Sequence, residues 1–140
     1  MNRSTVLSLP AAALLALASL GAPAPAHAGD VSNAQLGCFV DTNAWDSSTI
    51  GECTSFWTPW TASNPSVAVY EVSGLTPGSY TFYWTDLGPG QIGTCPTTDS
   101  ACIRPIRVGF SRTVRLVVVD NQTGASKTLF STAYYEDGWR

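Results

Sequence analysis

Three acids grouped near a tryptophan are the side chains best suited by type and spacing to chemistry. They are Asp41, Asp46 and Glu52, with Trp45 among them. A glycosidic bond can be cleaved by two carboxylates alone, one protonating the leaving oxygen and the other acting as nucleophile or base. The same stretch, Asp41-x-Asn43-x-x-Asp46, offers oxygen ligands to calcium, but it lacks the full ligand ladder and the glycine of a recognised loop. Both sets lie in a run of Ser, Thr, Asn and Asp. No sign of burial marks one of them for a raised carboxyl pKa, so they read as solvated loop acids.

Other chemistries are limited by what the chain lacks. It has one histidine, His27, and one methionine, Met1. Both fall in a leader with the three parts of a secretory signal. These are a basic start at Arg3, an apolar run over residues 6–20 containing "AAALLALASL", and the small-residue site Ala26-His27-Ala28. Residues 1–28 are therefore expected to be a cleaved signal peptide, alanine-rich in a bacterial manner, and residues 29–140 the mature domain. That domain has no imidazole, so it can build neither a Ser-His-Asp nor a Cys-His nucleophile and no histidine-ligated metal site. The expectation is a protein that is not an enzyme and uses no cofactor. Leu36-Gly37-Cys38 resembles a lipid-attachment site, but polar residues 29–35 separate it from the apolar run, and lipid anchoring is rejected. No later run reaches the ~20 apolar residues of a membrane helix, so no span is expected.

Four cysteines remain: Cys38, Cys53, Cys95 and Cys102. An even number in a small exported domain reads as two disulfides, and four cysteines allow three pairings. The local pairing, Cys38–Cys53 with Cys95–Cys102, is favoured, because "CPTTDSAC" has no strand pattern and looks like a loop pinned at its base. Such a bridge serves stability first, at ~2–4 kcal/mol. A loop rigid before contact would also suit a secreted inhibitor of a hydrolase.

Charge is sparse and uneven. Residues 29–103 hold seven acids and no base, while residues 104–140 hold six bases and three acids. The acidic balance argues against nucleic acid. The split leaves self-association open. Arg104, Arg107, Arg112 and Arg115 form the one basic cluster, read by default as a solvated strand face, with Arg104 and Arg107 as candidates for an acidic partner. The aromatic content is high, with five tryptophans. Trp84 reads as core. Trp57 and Trp60, in "FWTPW", are candidates for a ligand platform together with Trp45; capping one end of a core is the competing explanation. Tyr134, Tyr135 and Trp139 are expected to dock on the body or on a partner.

Helical periodicity is nearly absent, and strand signals recur every 8–12 residues. Strands are expected over residues 35–40, 66–72, 79–85, 113–120 and 127–135. A broken strand over 103–110 is placed at an edge by Pro105, and 55–57 is ambiguous. Residues 41–52 read as loop and 121–124 as a hairpin turn. Asn121-Gln122-Thr123 also matches a glycosylation acceptor, although the turn alone accounts for it. The mixed faces of 127–135 suggest cover on both sides or a bulge. About seven strands imply a sandwich or barrel.

The segment "VYEVSGLTPGSYTFYWTD", residues 69–86, resembles the strand–corner–strand stretch of fibronectin type III and other immunoglobulin-like bacterial modules. "TVRLVVVDNQTGASKTLFST", residues 113–132, is similar to their final hairpin. The resemblance implies an immunoglobulin-like antiparallel β-sandwich, stapled by disulfides, with a binding or structural role and no catalytic residues. The expected function is a secreted, extracellular or periplasmic, binding or adhesion module for a protein or polysaccharide.

Overall fold

The computed structural model describes residues 28–42, 46–60, 62–89 and 95–139. Among them are eight β-strands and no helix: β1 (Gln35–Val40), β2 (Thr49–Ile50), β3 (Glu52–Trp57), β4 (Ser66–Ser73), β5 (Tyr80–Asp86), β6 (Ala101–Ile106), β7 (Phe110–Asp120) and β8 (Ser126–Asp137). They form two four-stranded sheets, β2-β1-β4-β6 and β3-β8-β7-β5.

The strands follow from β-branched and aromatic residues at period two. β7 buries Val114, Leu116 and Val118 completely and turns Arg115, Val117 and Val119 outward. β6 alternates without a break, and Pro105 sits on it at the edge of its sheet, where no ladder bond is lost. The extra strand beyond the expected seven is β2, a two-residue rung inside the stretch read as loop. The β7/β8 ladder contains no bulge: its register runs unbroken from Phe110↔Tyr135 to Val119↔Ser126. The mixed faces of β8 arise because Leu129, Ser131, Ala133 and Tyr135 turn to the core side while Phe130 stays exposed.

One crossing sets the architecture. β1 lies in the first sheet. The chain then passes to the second sheet, where β3 pairs with β8 in parallel, Cys53 opposite Ala133. A disulfide between Cys38 on β1 and Cys53 on β3, with Cα atoms 5.7 Å apart, joins the sheets at this crossing. The core lies between them, built from Leu36, Val40, Ala68 and Tyr70 on one side and Phe82, Trp84, Leu116 and Ala133 among those on the other.

Buried aromatics direct their polar tips to backbone carbonyls at the rim, as burial requires. Tyr70 Oη donates to Arg112 O at 2.6 Å, from the first sheet to the second. Tyr135 Oη donates to Ser63 O at 2.6 Å, and Trp84 Nε1 to Asp99 O at 3.0 Å. The corner before β5 depends on Gly74, whose φ is +75° and whose Cβ, were there one, would collide with Asn33 O. Tyr80 Oη closes that corner by donating to Thr76 O at 2.8 Å. At the β7–β8 hairpin the Asn121 amide is engaged, donating to Ser79 Oγ at 3.1 Å and accepting from Thr81 Oγ1 at 2.8 Å.

The Thr123 hydroxyl and the Gln122 N–H donate to Asp120 and hold its carboxyl below the ordinary range. The Ser32 N–H and hydroxyl do the same for Asp30. A lowered folded-state pKa adds stability that is present above the unfolded value, about 3.9, and lost as pH falls through the folded value. Burial pushes the Tyr70 and Tyr135 phenols up, which adds stability present below about pH 10 and lost as pH rises beyond it. The urea midpoint should therefore be level between those limits and fall on both sides. Asp120→Asn should flatten the acid limb, and a limb unchanged in that variant would refute the assignment. Replacing Cys38 and Cys53 together by Ala should lower unfolding stability by about 2–4 kcal/mol, read from denaturant midpoints.

Candidate functional site

Alternation along β3 places Cys53 and Trp57 toward the core side and Thr54 and Phe56 outside. The sequence candidates Trp57 and Trp60 therefore part company. Trp57 packs against the core, and its Nε1 donates to Ala62 O at 3.1 Å. Trp60, past Pro59, is 73 % exposed. The parallel ladder brings Phe56 opposite Glu136 and Trp57 opposite Asp137. Gly138 N then donates to Trp57 O at 2.9 Å. A Cβ on Gly138 would sit 3.0 Å from both Phe56 Cβ and Trp57 O, so glycine permits this close approach. The next residue, Trp139, meets Trp60 edge to face with ring centroids 4.4 Å apart. Trp139 is 59 % and Phe56 63 % exposed. Three large aromatics thus share one end of the molecule. Clustered exposed apolar side chains are uncommon on soluble monomers and mark interaction surfaces. Trp45 lies outside the described residues.

The second bridge, Cys95–Cys102, is formed, with Cα atoms 5.6 Å apart. Residues 96–101 between its cysteines are exposed side chain by side chain, yet their backbone is braced. Thr97 O accepts from Phe82 N at 2.8 Å on the edge strand β5, and Ser100 O accepts from Val72 N at 3.0 Å on β4. Asp99 O receives the Trp84 indole, so the loop spans the gap between the sheets.

Two of the four arginines, Arg104 and Arg112, do not join the solvated strand face expected of them, while Arg115 lies outward on β7. Arg104 points inward from β6 and is only 7 % exposed. Its Nε lies 3.8 Å from Asp86 Oδ2, and Arg112 Nη1 hydrogen-bonds to that same oxygen. Asp86 is buried at the end of β5, so one carboxylate holds guanidiniums from both sheets. Alternation explains this: in "ACIRPI" Arg104 falls between Cys102 and Ile106 on the inward face. Arg107, beyond the strand, is exposed.

Asp41 and Glu52 of the sequence reading fall on different sheets. Asp41 follows β1 on the first sheet and is exposed, while Glu52 opens β3 on the second and is exposed. Asp46 accepts from the Thr42 hydroxyl at 3.1 Å and from the Thr42 N–H. Phe56 and Asp86 are the site residues that sequence reasoning passed over, and Arg112 was read only as part of a solvated strand face. Phe56 was legible only once β3 was known to be a strand, because period two then opposes it to Trp57. Asp86 carried no signal beyond its place at a strand end.

Comparison of the chain with protein-family models, with curated proteins and with solved structures found no match.

Removing the shared carboxylate leaves two largely buried guanidiniums facing each other. Asp86→Asn should cost about 3–5 kcal/mol, as breaking a buried ion pair does. Thermal unfolding should show the loss, and a variant as stable as the parent would show that the clasp contributes nothing.

Proposed function

We propose that this chain is an exported, non-catalytic binding module of immunoglobulin-like type, which engages a cell-surface protein or polysaccharide through the aromatic end formed by Phe56, Trp60 and Trp139. The observation that carries this reading is the exposed edge-to-face pair of Trp60 and Trp139 beside exposed Phe56. Tryptophan buries much apolar area when a partner covers it and orders few rotatable bonds in doing so, which makes it a frequent interface anchor. Export is supported by two disulfides in a small all-β domain, and among the described residues no helix is long and apolar enough to cross a membrane. The immunoglobulin-like type is supported by the two antiparallel-rich sheets, the disulfide between them and the chain's passage from one sheet to the other before β4.

A second reading, an inhibitor of a hydrolase, is favoured by one feature. The loop at residues 96–101 is exposed in its side chains while disulfide and backbone bonds fix its shape, so little ordering would oppose insertion into an active site.

A glycan array and a pulldown against native cell surfaces should each give a ligand for the mature domain. Trp60→Ser and Trp139→Ser should weaken binding at least tenfold, about 1.4 kcal/mol, while leaving the melting temperature unchanged. Binding that survives both substitutions would overturn the aromatic-end reading. If binding is instead lost on exchanging residues 96–101 for a glycine-serine loop, the inhibitor reading takes its place.

A further inference from the structure

The same end of the molecule, where β6 hands over to β7, carries a concave surface that shares no residue with the aromatic cluster. A groove of about 490 Å³ lies there, within the ~300–1,000 Å³ range of small-ligand sites. Its walls include Pro65, Pro89 and Pro105, with Phe110 at the start of β7 and the guanidinium-bearing Arg107 and Arg112. The walls are stiff for identifiable reasons. Prolines have no backbone φ to lose. Val108 N donates to Asn64 Oδ1 at 3.3 Å, tying the β6–β7 turn to the segment that carries Pro65. Arg112 is held through Asp86 below and through its carbonyl, which accepts from Tyr70. Phe110 is 59 % exposed, so one ring face is left to a ligand.

The electrostatics select the ligand's charge. Asp86 is the carboxylate paired with both Arg104 and Arg112, so that cluster of three buried or nearly buried side chains carries one more positive than negative charge. Arg107, exposed on the same groove, adds a further positive charge. Every aspartate and glutamate of the chain is among the described residues, and none of them lines this groove. A groove with apolar walls, positive potential and no lining carboxylate is complementary to an anion attached to an apolar body. A guanidinium suits a carboxylate, because its fork of N–H donors matches the two oxygens.

We propose that this groove is a binding site for a small amphipathic carboxylate, with Arg107 engaging the carboxylate oxygens and Phe110 and the three prolines covering an aromatic or branched apolar body. Arg112 contributes positive potential from its fixed position against Asp86. No covalent step is involved.

The test uses the mature domain with both disulfides intact, titrated with 4-phenylbutyrate at low ionic strength and followed by amide NMR shifts. Saturable shifts should centre on residues 105–112. The uncharged analogue 4-phenylbutanol should bind at least tenfold more weakly, and 4-phenylbutyrate should lose affinity as salt is added. Arg107→Gln, at an exposed position, should cost at least tenfold in affinity with an unchanged melting temperature. Phe110→Ser should weaken both ligands alike, and Trp60→Ser should change neither. Equal affinity for acid and alcohol, unchanged affinity in Arg107→Gln, shifts centred on Trp60 and Trp139, or no saturable shift at all would each overturn the proposal. Should Arg107→Gln prove less stable, the acid-against-alcohol comparison in the parent protein still decides it. Failure here would leave the aromatic-end reading untouched, since that rests on Phe56, Trp60 and Trp139, none of which lines the groove.

Discussion

A carboxylate shut between two sheets must be balanced where it lies, and Asp86 is balanced by arginines from both. Arg104 reaches it from the first sheet and Arg112 from the second. Burying any of the three alone would be strongly unfavourable, whereas together they cost far less. The contact can exist only with β5, β6 and β7 in their observed places, so it specifies the mutual placement of two sheets that share no ladder at that edge. It also fixes the chemistry of the neighbourhood. The arrangement is neutral neither in count nor in position, and the groove beside it inherits the surplus.

The rest of the rim is closed by similar logic with neutral groups. Tyr70, Tyr135, Trp57 and Trp84 each pack a ring against the core and donate a hydrogen bond to a carbonyl at the margin of the sandwich. Large apolar area and a satisfied polar tip are combined in one side chain. This explains why a chain of such low charge can hold irregular rim segments in place. Residues 96–101 are the clearest case. Up to Ser100 they have no regular structure, yet their carbonyls at Thr97, Asp99 and Ser100 are all used as acceptors.

Local alternation made most strands legible. β1 coincides with its expected span, and β4, β5, β7 and β8 agree to within a few residues, because Thr, Val, Tyr and Phe at period two leave little else to form. The local pairing of cysteines was legible too, since residues 96–101 lack any strand pattern. What the chain did not disclose was long-range. Nothing in residues 52–57 indicates that they lie parallel to residues 132–137, so the meeting of Trp60 with Trp139 was hidden. Arg104 was misjudged for a related reason. Charge suggests solvent, but period two on an edge strand placed it inward, and only the distant Asp86 made that tolerable.

The seam between β3 and β8 has a consequence for when the molecule can fold. β3 finds its ladder partner in β8, so a strand formed early in the chain waits for the last strand before it has anything to bond. Synthesised or threaded through a membrane pore from its amino end, the polypeptide would emerge with that edge open. The final sheet would assemble only after the carboxyl-terminal stretch was free. Such delayed closure leaves the cysteine at the crossing accessible to oxidation before the interior shuts.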